Sequence, residues 1–136
     1  TRNEFANGAS DGFILTSVVP DGLDTSIPVQ VIINWYPKTD AAGDVELEFE
    51  TVKRGETFTY DGTATPVAST PVIASVSGQE LENQRSTFLI DISDALPGDH
   101  IYGSLFRDAT AGNADDTLAG NVVIDDWQVV GYFWKP

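Results

Sequence analysis

Apolar and polar residues alternate along most of this 136-residue chain. The clearest run is Asp44–Arg54 (DVELEFETVKR), with Val45, Leu47 and Phe49 on one side and Glu46, Glu48 and Glu50 on the other. A period of two predicts a strand with one dry face and one wet face. A helix would scatter the three apolar residues around its cylinder. Val29–Tyr36 (VQVIINWY) lies between Pro28 and Pro37 and places Val29, Val31, Ile33 and Trp35 on one face. Further strands are expected over Gly12–Val19, at Phe58 and Tyr60, over Pro71–Val76, and over Arg85–Ile92, where Phe88, Ile90 and Ile92 share a side. Ile101–Arg107 and Val122–Trp134 complete the set, the last with a bend at Gly131.

Turn chemistry separates these runs. Pro20-Asp21-Gly22 ends the first strand. In Leu96-Pro97-Gly98-Asp99, Pro97 presets φ and Gly98 accepts the positive φ of a type II turn. Ser93–Leu96 reads as one helical turn capped by Ser93. Gly103, in mid-strand, predicts a bulge or a closely approaching neighbour. Arg107 beside Asp108 suggests an ion pair at the strand end, worth ~0–1 kcal/mol on a rim. The expected fold is a single all-β, jelly-roll-like antiparallel sandwich of about eight strands, with an immunoglobulin-like sandwich as the alternative. Residues 1–11 are assigned to an N-terminal arm and residues 12–136 to the sandwich. Phe5, the one apolar anchor of the arm, is either frayed or a plug for a neighbouring subunit.

Charge narrows the partners. Twenty-one acidic and seven basic residues leave a net charge of −14. Nucleic acid and anionic membranes are disfavoured, because affinity for both comes mainly from Lys and Arg. A basic protein partner would be steered in, and the outward Glu46, Glu48 and Glu50 row could meet it or a cation. The chain has no Cys, so disulfides and thiolate metal sites are excluded. No apolar run approaches the ~18 residues of a membrane helix. Thr1 fits a removed initiator Met, which would make this a complete small protein.

Candidate chemistry is sparse. His100 is the single histidine, and no Gly-x-Ser-x-Gly elbow accompanies it. It reads as a turn or interface residue, and no enzymatic activity and no cofactor are expected. Asp108, Asn113, Asp115 and Asp116 crowd one loop with the oxygen ligands calcium takes, but their spacing is not that of an EF-hand. A solvated acidic loop is the simpler reading, and no metal site is assigned. Trp35, Trp127 and Trp134 could stack on sugars; Trp127 reads as core, and Trp134 as a surface or subunit contact.

The order of these pieces resembles a known family. Leu96-Pro97-Gly98-Asp99-His100-Ile101-Tyr102-Gly103-Ser104-Leu105-Phe106-Arg107-Asp108, an Asp-rich loop, and a last strand ending Val130-Gly131-Tyr132-Phe133-Trp134 look like the closing half of a β-sandwich found in tailed-bacteriophage virion proteins. Pro20-Asp21-Gly22, Val31-Ile32-Ile33-Asn34-Trp35 and the Gly43-Asp44 turn into Val45-Glu46-Leu47-Glu48-Phe49 fit its front half. The resemblance implies a capsid decoration (cement) protein, a homo-trimer bound to the major capsid protein on the outer virion surface. The alternative it leaves is a carbohydrate-binding or tail-fibre head domain that recognises a host glycan. Phe5, Tyr132 and Trp134 are the expected contact residues.

Overall fold

The computed structural model describes residues 3–8, 10–55 and 67–134, and shows nine strands. They are β1 (Asn3–Phe5), β2 (Ser10–Val18), β3 (Val29–Pro37), β4 (Gly43–Arg54), β5 (Val67–Ala68), β6 (Val72–Val76), β7 (Gln84–Ile90), β8 (His100–Asp108) and β9 (Val122–Val130). No helix occurs among the described residues. The strand expected at Phe58 and Tyr60 lies outside them.

One sheet runs β1-β9-β3-β7. The other runs β2-β8-β4, with β5 and β6 sharing the lane beyond β4. All pairings are antiparallel. Strands from the two ends of the chain interleave in both sheets, which is the double Greek key of a jelly roll. The expected fold is therefore found, with one lane split in two, and the immunoglobulin order is not.

Alternation places the core as expected. Val31, Ile33 and Trp35 from β3 meet Val45, Leu47 and Phe49 from β4, and all are buried. Trp35 Nε1 donates to Ser86 Oγ at 3.0 Å, so its one polar atom is satisfied inside. The Phe49 ring lies over Gly103 and 5.7 Å from the Phe88 ring. A Cβ at Gly103 would collide with Phe49. The mid-strand glycine thus answers to a close neighbour, since the pairing of β8 runs through it without a bulge.

The bulge is in β9 instead. Asn34 pairs with Asp126 but Trp35 pairs with Ile124, so Asp125 is an extra residue. Without it, strict alternation from Val122 and Ile124 would turn Asp126 and Gln128 inward. The bulge resets the period and gives Trp127 and Val129 the inner face.

Several local expectations are corrected. Asn3–Phe5, placed above in the arm, is an edge strand of the sandwich, and Phe5 is 2% exposed in the chain's own core. An aromatic ring this deep stabilises its own fold and offers a neighbouring subunit nothing. Ser93 starts no helical turn: Ala95 N–H donates to the Ile92 carbonyl at 2.8 Å, and Asp91 Oδ1 accepts from Ser93 N–H, as in a β-turn. The last strand stops at Val130, and Gly131–Trp134 crosses to Gly22–Asp24. The Pro97-Gly98 turn is as expected, with φ of 88° at Gly98 and Asp99 N–H donating to the Leu96 carbonyl. Val19 stitches this turn to β2 through two backbone hydrogen bonds, to Gly98 and to Asp99.

Arg107 does not pair with Asp108. It shares the inner face of β8 with Gly103 and Leu105, so its head group must find partners inside, whereas Asp108 points the opposite way. Arg107 Nε and Nη2 grip the two oxygens of Asp116 at 2.8 and 2.7 Å, and Nη1 donates to the Gly120 carbonyl at 2.8 Å. The pair is fully buried, so it belongs to the class in which loss of one partner strands a charge. Asp116→Ala should destabilise the fold by ~3–5 kcal/mol in urea unfolding, and Arg107→Met added to Asp116→Leu should recover much of that loss.

Candidate functional site

Sheet geometry opens a cleft between β2 and β9. β9 is nine residues long, but β1 pairs only with Val122–Ile124. Past that point, no strand of the described residues lies beside the outer edge of β9. The inner-face residues there are left open, Trp127 at 43% and Val129 at 50% exposure. Below them lies a cleft of about 290 Å3. Its floor is apolar and mostly aliphatic, with Leu15, Val31, Ile90 and Ile101 beside the Phe49 ring that packs over Gly103. Phe133, 57% exposed, closes one end beside Leu23 and Gly131. Among the described residues, Thr16, Ser17 and Thr51 are its hydroxyl-bearing members and none that lines it is charged. Such a lining can exclude water and bury apolar groups.

The expected site residues separate here. Tyr132 and Trp134 are exposed, the latter at 67%, on the segment that carries Phe133. Backbone bonds hold this segment: Asp24 N–H donates to the Tyr132 carbonyl at 2.7 Å, and Trp134 N–H to the Gly22 carbonyl at 2.8 Å. Trp127, read as core, is on the inner face but uncovered, because the neighbouring lane is short. Trp35 is fully buried and cannot stack on a ligand. His100 stands in register with Val18 and Arg54 on the outer face of its sheet, away from the cleft. Sequence reading missed the cleft itself. The break of alternation at Asp125-Asp126 was the local signal for the bulge, and nothing local announces that β1 stops early.

The acidic loop is committed to closure. Asp116 holds Arg107, Asp108 Oδ1 accepts from Thr110 N–H and Oγ1, and Asn113 Nδ2 donates to the Asp108 carbonyl at 2.6 Å. The loop also folds over β4. Asp116 Oδ2 accepts from Glu46 N–H at 3.2 Å, and Asn113 Nδ2 reaches Glu46 Oε2 at 3.3 Å. Glu46, expected on a wet face, is therefore buried. Its neighbour Glu48 is half covered. Partial burial first, then a hydrogen bond with Glu46 and the charges of Glu46, Asp108 and Glu50, push the Glu48 carboxyl up to about 7.

No protein-family model matches this chain, and no curated protein does. Among solved structures, the carbohydrate-binding module TmCBM61 in complex with beta-1,4-galactotriose is similar over 95% of this chain and 69% of that one, with 17% identity and a TM-score of 0.42.

A carboxyl raised in the folded state binds its proton more tightly there, so Glu48 favours folding at low pH. That contribution is full below about 4.5, the ordinary value, and is lost as pH rises through about 7. Glu48→Gln should remove this slope from a pH series of denaturant melts. At pH 8 it should raise stability by about 1 kcal/mol, the modest figure expected where solvent screens the charge.

Proposed function

We propose that this protein is a recognition module without catalytic activity that attaches to another protein through the rim of the cleft. The observation that carries this reading is the uncovered inner face of β9, where Trp127, Val129 and Phe133 stand around a mostly aliphatic floor. Apolar surface of this kind, in mid-strand of an otherwise closed core, marks a place of attachment. Large aromatic groups in such positions dominate the energy of protein interfaces. The net charge of −14 favours a partner whose surface is basic. Attachment to the major capsid protein as a virion decoration protein, and assembly into a trimer, are particular forms of this reading. Titration onto undecorated capsids tests the first, and a monomeric mass at micromolar concentration would argue against the second.

A specific observation favours a second reading, recognition of a carbohydrate. Trp127, Tyr132, Phe133 and Trp134 are all exposed within eight residues of chain, and exposed aromatic faces stack on the apolar faces of sugar rings. The cleft itself supports this less, because its floor offers few polar groups for sugar hydroxyls. A glycan array discriminates: saturable binding that Trp127→Ala removes would favour the sugar.

For the protein reading, Trp127→Ala and Phe133→Ala should each weaken attachment at least tenfold, a loss of ≥ ~1.4 kcal/mol. Their unfolding midpoints should stay close to the parent, because both side chains are half exposed. Surface plasmon resonance against the candidate partner, paired with thermal melts, checks both halves of this expectation.

A further inference from the structure

The short first strand has a consequence for how a partner would dock. β1 runs antiparallel to β9, with Asn3 opposite Ile124 and Phe5 opposite Val122. The same lane, continued along β9, passes Trp127–Val130. β3 occupies the other edge of that segment, so the lane's edge is where further backbone bonds can form. In the facing sheet, β2 lies opposite this lane, with Leu15 and Ser17 lining the cleft. A strand laid in the lane would point every second side chain at the space between Trp127, Val129 and Leu15.

We propose that the cleft is a strand-acceptor site: an extended peptide segment of a partner protein adds to the Trp127–Val130 edge of β9, antiparallel to it, in line with β1. This rests on the attachment reading above and gives its mode. Three properties of the occupant follow. It carries aliphatic side chains at alternate positions, because the lining they face is apolar and mostly aliphatic. It uses main-chain hydrogen bonds for affinity, because the acceptor is a strand edge. It carries Lys or Arg toward its C-terminal end, because antiparallel addition brings that end to the exposed carboxylates Asp125 and Asp126. The cleft volume, about 290 Å3, falls just under the ~300–1,000 Å3 of small-molecule pockets, which suits a few aliphatic side chains better than a whole ligand. A second copy of this chain is a poorer occupant, since it brings another net −14 and the same two aspartates.

The probe is a synthetic eight-residue peptide with Val or Leu at alternate positions, Thr between them, and two Lys at the C-terminal end. Binding is followed by nuclear magnetic resonance of the labelled intact protein. The expected result is saturable binding, with slowed hydrogen exchange at backbone amides within Trp127–Val130. Val129→Glu should weaken it at least tenfold, as should N-methylation of the peptide's edge-facing amides. A second control reverses the two Lys to the N-terminal end and should weaken binding as well. Absence of saturable binding overturns the proposal, as does binding indifferent to N-methylation, or peptide-independent dimerisation that protects the same amides. If the rim variants still abolish attachment to a partner while the peptide fails, the strand mode falls and the attachment reading stands.

Discussion

A two-sheet sandwich depends on one constraint: every strand must present its apolar side chains to the same dry layer for its whole length. Most strands here meet it by simple alternation. β9 cannot, because Asp125-Asp126 interrupts its apolar positions, and the bulge at Asp125 is what keeps the strand in register with the core. The extra residue lets Ile124 face Trp35 and Trp127 face Ile33 within one strand. Without it, half of β9 would send Asp126 and Gln128 into an apolar layer, where an unpaired carboxylate is far too costly. The long β3–β9 contact, and with it one wall of the cleft, exists because of this single inserted residue.

The same constraint explains which parts of the fold were legible in the sequence. Val45, Leu47 and Phe49, or Val29, Val31, Ile33 and Trp35, announce both their strand and their buried face, because alternation is a local property. The turn at Pro97-Gly98 was readable for a similar reason, since the positive φ belongs to one residue. Arg107 was misread because its partner Asp116 is reached through a loop that folds back. Nearest-neighbour logic offered Asp108, which lies on the opposite face. Glu46 was misplaced for the same cause: the loop that buries it is brought there by Arg107, Asp116 and Asn113. The openness of Trp127 was hidden most deeply. It depends on how far β1 runs beside β9, a matter of two segments more than a hundred residues apart.

Polar and apolar labour is divided between regions. The loop after β8 spends its carboxylates and amides on a buried ion pair and on its own turns, which closes that end of the sandwich. The cleft lining, by contrast, is mostly apolar, with Thr16, Ser17 and Thr51 as its hydroxyl-bearing members among the described residues. A molecule built this way has one sealed end and one unfinished flank. Its strong negative charge keeps such a flank from meeting copies of itself indiscriminately, because like-charged surfaces must approach first.

The segment Gly131–Trp134 is tied by its main chain to Gly22–Asp24, so its aromatic side chains stand on backbone that is already ordered before anything arrives. Rigid display lowers the entropic cost of association, since little conformational freedom remains to be surrendered. On the proposed attachment reading, loosening that tie would cost affinity without removing a single contact in the bound state, and calorimetry would register the change as entropy.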